Sequence, residues 1–229
     1  MERGLYIAAT GMVAEQVRQD QIANDLANAS TPGYKADRSA QRSFGDLLLS
    51  NTVSGQPIGP LGLGAQIDLI KTDTSSAPLR ETGEPLDFAV QGDGWFGVQT
   101  PQGVRYTRNG QFALSPQGTL IDSMGNQVIG RNGPIRARPD GTVDPAQLNI
   151  FNVTNPRKVG DSYVTGTAGG QATGRVRAGA LEASNAEPAR AMVDMIASFR
   201  SFEAGQKVIR TIDETLQKAS NVVGGMPGG

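Results

Sequence analysis

The sequence contains no histidine and no cysteine. The first absence excludes serine–histidine–carboxylate catalysis and any histidine-ligated metal. The second excludes thiol nucleophiles, disulfides, zinc thiolates and iron–sulfur clusters. Acid–base work would fall to carboxylates, lysine or tyrosine. Charge of one sign is also lacking. The formal net charge is -1, with no local block of like charge, so nothing favours broad capture of nucleic acid or anionic lipid. No apolar run reaches the roughly 18 residues of a membrane-spanning helix. The opening MERGLYIAATGMVAEQ does not read as a signal peptide, because Glu2 and Arg3 come first and Glu15, Arg18 and Asp20 interrupt the next turns. Export, if it occurs, is expected without a cleaved leader.

What is present divides into helical ends and a β middle. Residues 3–29 read as a helix, with Leu5, Met12, Gln19 and Leu26 at intervals of seven and Ala8 and Ile22 at the companion spacing. Gln19 and Glu15 break these rows. Gly4 and Gly11 each cost about 1 kcal/mol relative to alanine unless they allow close helix packing. Asn28 is placed to end the helix, and Ser30-Thr31-Pro32-Gly33 is a strong turn signal. Asn24 is either solvent-facing or a buried polar group that sets helix register. Residues 36–75 read as an irregular or extended connector, since SGQPIGPLGLG does not suit a regular helix.

From 76 to 180 the pattern is β. Leu86, Phe88 and Val90 alternate, as do Phe112 and Leu114. Turn signals recur, among them Asn109-Gly110, Pro116–Gly118 and Asp140-Gly141. Helical patterns between the strands are missing, so the strands are expected to pair antiparallel. A second helix is expected over about 186–222. Asn185 is the preferred N-cap over a Ser184–Glu187 capping box, which would put Pro188 where the first helical hydrogen bond forms. Met195, Phe202, Ile209, Leu216 and Val223 recur at intervals of seven without interruption. The helix would be roughly 50 Å long at about 1.5 Å per residue. Each terminal stripe needs a cover, from the other terminus, from neighbouring copies, or from both.

The remaining motifs favour bland readings. Gly92-Asp93-Gly94-Trp95-Phe96-Gly97 matches G-x-G-x-x-G, but no helix comes after it to hold a pyrophosphate, so a turn between strands is expected. The acids Asp68, Asp73, Glu81, Glu84, Asp87 and Asp93 have no spacing that brings two together, and read as solvated turn acids. Trp95, Phe96, Tyr106 and Arg108 read as parts of a β core rather than a base-stacking platform. Arg105 and Arg108 remain candidates for polar contacts with a neighbouring subunit.

Four segments resemble the flagellar rod–hook axial family, in the manner of its FlgF/FlgG-type rod proteins. They are IANDLANASTPGYK (22–35), TGEPLDFAVQGDGWFGV (82–98), YTRNGQFALSPQGTLIDSMGNQVIG (106–130) and GALEASNAEPARAMVDMIASFRSFEAGQKVIRTIDETL (179–216). Asn24, Asn28, Pro32, Gly33, Tyr34 and Lys35 occupy the family's N-terminal signature, and Leu181, Glu182, Ser184 and Asn185 its C-terminal one. The resemblance implies export through the flagellar type III apparatus, helical polymerisation with copies of itself and other rod proteins, and a place in the basal-body rod that transmits torque from motor to hook. It implies no catalytic residues and no cofactor.

The implied fold is α+β and mainly β, an antiparallel β-rich central domain flanked by long terminal helices that pair and polymerise. Its parts would be 1–35, helix and signature turn of an inner tube; 36–75, connector; 76–180, outer β domain; and 181–229, C-terminal helix and glycine-rich tail. Ala186 stands where a branched aliphatic is usual, and Phe199–Lys207 departs from the family's run, with Gly205 expected to loosen the helix. The stretch RETGEPLDFAVQGDGWFGVQTPQG and Gly133-Pro134-Ile135 lean toward the proximal-rod FlgF type, with the distal-rod FlgG type as alternative. Outside the family, the competing reading is a monomeric β-rich binding module. On the rod reading, Ile209→Asp is expected to block incorporation into filaments while leaving the β domain folded, which sedimentation and circular dichroism would measure together.

Overall fold

A computed structural model describes residues 2–50 and 56–224. The glycine-rich tail beyond 224 and the side chains of Leu47, Leu48, Leu49 and Val223 lie outside the described residues. Helix α1 spans Glu2–Ala27 and helix α2 spans Pro188–Gly224. Between them come β1 (Asp37–Ser50), β2 (Pro57–Thr72), β3 (Leu79–Glu81), β4 (Phe88–Gln91), β5 (Trp95–Thr100), β6 (Gly103–Thr107) and β7 (Ala113–Leu114). Next are β8 (Leu120–Ile121), β9 (Gln127–Gly130), β10 (Gly133–Pro134), β11 (Ile150–Val159), β12 (Tyr163–Gln171), β13 (Arg175–Ala178) and β14 (Ala180–Glu182). The chain forms two compact units. One comprises Met1–Asn24, Arg38–Lys71 and Ala189–Gly229; the other comprises Asp25–Asp37 and Thr72–Pro188.

In the β unit, alternation along short strands sends large apolar side chains inward. Phe88, Val90, Phe96, Val98, Phe112 and Leu120 are buried in one cluster. Phe96 meets Phe112 edge-on with ring centroids 5.3 Å apart, a favoured aromatic geometry. Strand β5 pairs antiparallel with β6, β6 with β12, β12 with β11, and β11 with β5 again. That circuit closes on itself through short pairings, at Tyr163–Val164 with β6 and at Ile150–Phe151 with β5, beyond which β11 and β12 pair only with each other. Strands β9, β8 and β7 extend from β5. The β11–β12 ladder carries two register shifts, and Asn155 in the second of them has φ 51°. Such bulges bend and twist a ladder, here helping the circuit close. Residues 92–94 make the turn from β4 into β5, as expected, with Gly92 and Gly94 at positive φ. Trp95, Phe96, Tyr106 and Arg108 are all buried. Burial removes Arg108 as a contact for a neighbouring subunit.

In the helical unit, α1 and α2 pack antiparallel. The Ser198 hydroxyl donates to a Glu15 carboxylate oxygen at 2.6 Å, Met12 lies against Gly205, and Gly4 approaches Ile212. Gly205 therefore does more than loosen a helix. A β-carbon there would stand 2.7 Å from Met12 Cγ, so its absence lets the helices close. Gly11 has nothing within 4 Å of the equivalent position. Residues 36–75, expected as an irregular or extended connector, hold β1 and β2, extended strands paired as a two-stranded sheet, with an exposed Arg42–Asp68 ion pair at 3.3 Å.

Helix α2 starts at Pro188, a first-turn position where the missing amide proton leaves no hydrogen bond unmade. This corrects the expected N-cap. Asn185 is committed elsewhere, and the Ser184 hydroxyl accepts from the Ala186 amide at 3.1 Å. Because Asp25–Asp37 and Thr72–Pro188 form a unit without Met1–Asn24, deleting residues 1–24 is expected to leave the β unit folded. The sole tryptophan, Trp95, reports this. Its emission should remain that of a buried indole, and a shift to solvent-exposed emission would show that the β unit needs α1.

Candidate functional site

Gly33, Tyr34 and Lys35 of the N-terminal signature meet Glu182 and Asn185 of the C-terminal one inside the β unit. At their centre the Glu182 carboxylate is 0% exposed. Its Oε1 accepts from Lys35 Nζ at 2.7 Å and from the Ala77 amide at 2.9 Å, and its Oε2 accepts from Arg108 NH1 at 3.0 Å. Lys35 and Arg108 are each 3% exposed. Lys35 also donates to the Ser75 carbonyl at 2.5 Å. Arg108 donates to the Gly92 carbonyl at 2.9 Å, and its guanidinium lies 5.3 Å from the Trp95 ring centre. Taking such charges out of water costs several kcal/mol per ion, recovered only with close pairing and full hydrogen bonding. Burial pushes the Lys35 amine below its usual value, against the pull of Glu182 in the other direction.

Backbone contacts hold the same place shut. The Gly33 amide donates to the Glu182 carbonyl at 2.8 Å, and the Asn185 amide to the Tyr34 carbonyl at 3.3 Å. The Asn185 side chain accepts from the Ala36 amide and donates to the Asp73 carbonyl, both at 2.7 Å. It thus bridges two backbone segments instead of capping a helix. Gly33 has φ 67°, and a β-carbon on it would lie 2.2 Å from the Arg108 carbonyl carbon. Both its conformation and its contact exclude any other residue. Pro32 and Leu181 flank a small cavity of about 80 Å³.

A second polar layer adjoins the first. Tyr34 is fully buried, and its hydroxyl donates to Asp25 at 2.7 Å. Lys158 Nζ sits 3.9 Å from the Tyr34 ring centre and bonds the Lys35 carbonyl at 3.0 Å and Asp37 at 3.1 Å. Burial lifts the Asp25 carboxyl above its ordinary value, although hydrogen bonds from Tyr34 and the Asp37 amide draw it down. Burial and the Asp25 contact together push the Tyr34 phenol well up.

The helical positions are distributed differently. Asn24 is exposed, Leu26 is half-buried, and the Asn28 side chain accepts from the Thr31 hydroxyl at 3.1 Å. Met195, Phe202 and Ile209 are half-buried, on the side of Ser198, Gly205 and Ile212 that meets α1, whereas Leu216 is exposed. The uninterrupted heptad row is thus largely spent within the chain. A different α2 stripe faces outward: Met192, Val193, Ile196 and Phe199 are all more than half exposed. On α1, Tyr6, Val13 and Val17 are exposed as well. Periodicity marks both faces of α2 as apolar but does not say which one α1 takes.

Chemistry finds little purchase. A polar cavity of about 230 Å³ is lined by Asp93, Trp95, Arg108, Asn152 and Thr173 among others, with Asp93 its only carboxylate. A glycosidase needs two. Among the described residues, no group of three or more histidine, cysteine, aspartate or glutamate side chains is placed to hold a metal ion.

Comparison with known proteins agrees along the whole chain. Residues 5–35 match the family model described as flagella basal body rod protein, 89–178 that of the flagellar hook protein FlgE/F/G D1 domain, and 177–222 that of the flagellar basal body rod FlgEFG protein C-terminal. The flagellar basal-body rod protein FlgG of Bacillus subtilis (strain 168) is 32% identical over 97% of this chain and 99% of its own length. The flagellar hook-basal body complex protein FlhO of the same organism is 30% identical, covering 98% and 99%. The flagellar basal-body rod protein FlgF of Salmonella typhimurium is 30% identical, covering 97% and 99%.

Glu182→Gln is expected to cost about 3–5 kcal/mol of unfolding free energy, because it leaves two buried cations without a counter-charge. Lys35→Met should cost less, since Arg108 and Glu182 remain a neutral pair; denaturant unfolding of both variants gives the ordering. For Asp25 the folded chain binds the proton more tightly than the unfolded one. Stability contributed by this group therefore falls as pH rises from about 3.8, the unfolded value, through the raised folded value. Asp25→Asn should flatten that slope in a series of denaturant midpoints against pH.

Proposed function

Since this chain belongs to the flagellar basal-body rod and hook family, we propose that it is a structural subunit of the rod, polymerising through its helical unit and exported through the flagellar type III apparatus without leader cleavage. On this reading α1 and α2 contribute to an inner tube, the β unit packs outside it, and the assembled rod carries torque toward the hook. The chain acts beside copies of itself and other rod proteins, within the cell envelope.

The observation that carries the reading is where apolar surface remains uncovered. Among the described residues, almost every large exposed hydrophobic side chain lies on α1, β2 or α2, whereas Val104 and Met124 stand apart in the β unit. Contiguous apolar surface of this kind marks interaction sites. A monomeric binding module would instead keep both helical stripes covered.

Within the rod, the segments Arg80–Gly103 and Gly133–Ile135 favour the proximal, FlgF-type position. The distal, FlgG-type position is the second reading, favoured by the several relatives that bear that name. Labelling the chain in isolated basal bodies and locating the label by electron microscopy distinguishes the two, and absence of label from the rod would refute the assignment. Phe199→Asp places a charge on the outward stripe of α2. It is expected to abolish incorporation while leaving the circular dichroism of the purified chain unchanged; normal incorporation would remove that stripe from the interface.

A further inference from the structure

The helical unit carries a groove as well as a ridge. The groove runs between α1 and β2, with Tyr6, Thr10, Val13 and Val17 on one wall and Ala65 and Ile67 on the other. Its volume is about 460 Å³ and no charged side chain lines it. The Ala65 amide donates to the Thr10 hydroxyl at 3.3 Å, which ties the strand to the helix and fixes the groove's floor. The α1 wall follows an i, i+4, i+7, i+11 row, roughly 16 Å long at about 1.5 Å per residue. The outward ridge of α2, Met192, Ile196 and Phe199, follows an i, i+4, i+7 row of roughly 10 Å. It too is free of charge, since the nearby Arg190 and Asp194 are turned to one another at 4.0 Å.

We propose that the groove between α1 and β2 receives the Met192–Ile196–Phe199 ridge of α2 from a second copy of the chain. The proposal rests on the polymer reading above and names its contact. Both surfaces are apolar and free of charge, and the ridge, roughly 10 Å long, is shorter than the α1 wall of the groove, roughly 16 Å, so it enters without overhang. The other exposed apolar pairs fit less well. Leu69 and Ile70 are adjacent on a strand and point to opposite faces, and Val208 and Leu216 stand eight residues apart. Groove and ridge are different surfaces of one chain, so each bound copy offers its own groove or ridge to the next. A contact of that kind does not close into a dimer and propagates instead.

The chain's lack of cysteine makes the test clean. Val13→Cys and Ile196→Cys occupy the midpoints of groove and ridge, so they meet whichever way the ridge runs. Basal bodies are isolated from cells whose only copy carries both substitutions, oxidised, and separated under denaturing, non-reducing conditions. A ladder of covalent dimers, trimers and higher species is expected, with no ladder from either single variant. The single variants give a second readout. Each cysteine should react with a maleimide in the free chain and lose that reactivity in the basal body. Incorporation with only monomeric product, or with both cysteines still reactive, overturns the contact. Dimers from Ile196→Cys alone would overturn it too, by showing that α2 meets α2. Failure of the unaltered chain to enter basal bodies would refute the polymer reading itself, independently of the groove.

Discussion

One buried carboxylate organises the β unit. Glu182 has no access to water and satisfies two cations and a backbone amide, while the carbonyl of the same residue accepts from Gly33. Lys35 and Arg108 are almost as deeply buried and would be intolerable there without it. The arrangement draws together the stretch after α1, the strand before α2, and the turn after β6. Gly33 must be glycine because Arg108's backbone passes where a side chain would begin. Tyr34 must lie inward because Asp25 holds its hydroxyl and Lys158 its ring. Gly33–Lys35 of one sequence signature and Glu182–Asn185 of the other therefore form one internal junction, built within the β unit from distant segments of the chain.

This junction is only partly legible in the sequence. Lys35, Glu182 and Asn185 stand out through family resemblance, not through any local pattern, because an ion pair between residues 147 apart leaves no periodic trace. Arg108 invites a reading as a surface contact for the same reason: its partner is 74 residues away. Asn185 resembles an N-cap because its spacing from Pro188 allows one, yet its side chain finds two backbone partners across the junction. Gly205 illustrates the opposite limit. Helix propensity treats it as a defect, but propensity sees one helix, and the advantage of Gly205 appears only when Met12 of the other is in place.

The β unit and α2 are far more readable. Alternation at Leu86–Val90 and at Phe112–Leu114, with turns between, matches strands and loops that the fold contains. Antiparallel pairing agrees with the lack of intervening helices. Strands β1 and β2 escape this reading, since a stretch rich in glycine and proline gives weak strand signals even where pairing is regular. The α2 heptad row is correct as an apolar face and incomplete as an interface. A helix apolar on more than one side has more than one face to cover, and here α1 takes the Met195–Phe202–Ile209 side first.

The sequence distance across the Glu182 junction also sets the timetable of folding. A chain delivered one end first presents Lys35 early and Arg108 midway, and both must stay hydrated until Glu182 arrives. Removing these cations from water before then would cost more than burial returns. The counter-charge for both cations thus comes from a residue close to the second helix, so the charge balance of the β unit is complete only when nearly everything up to α2 is in place.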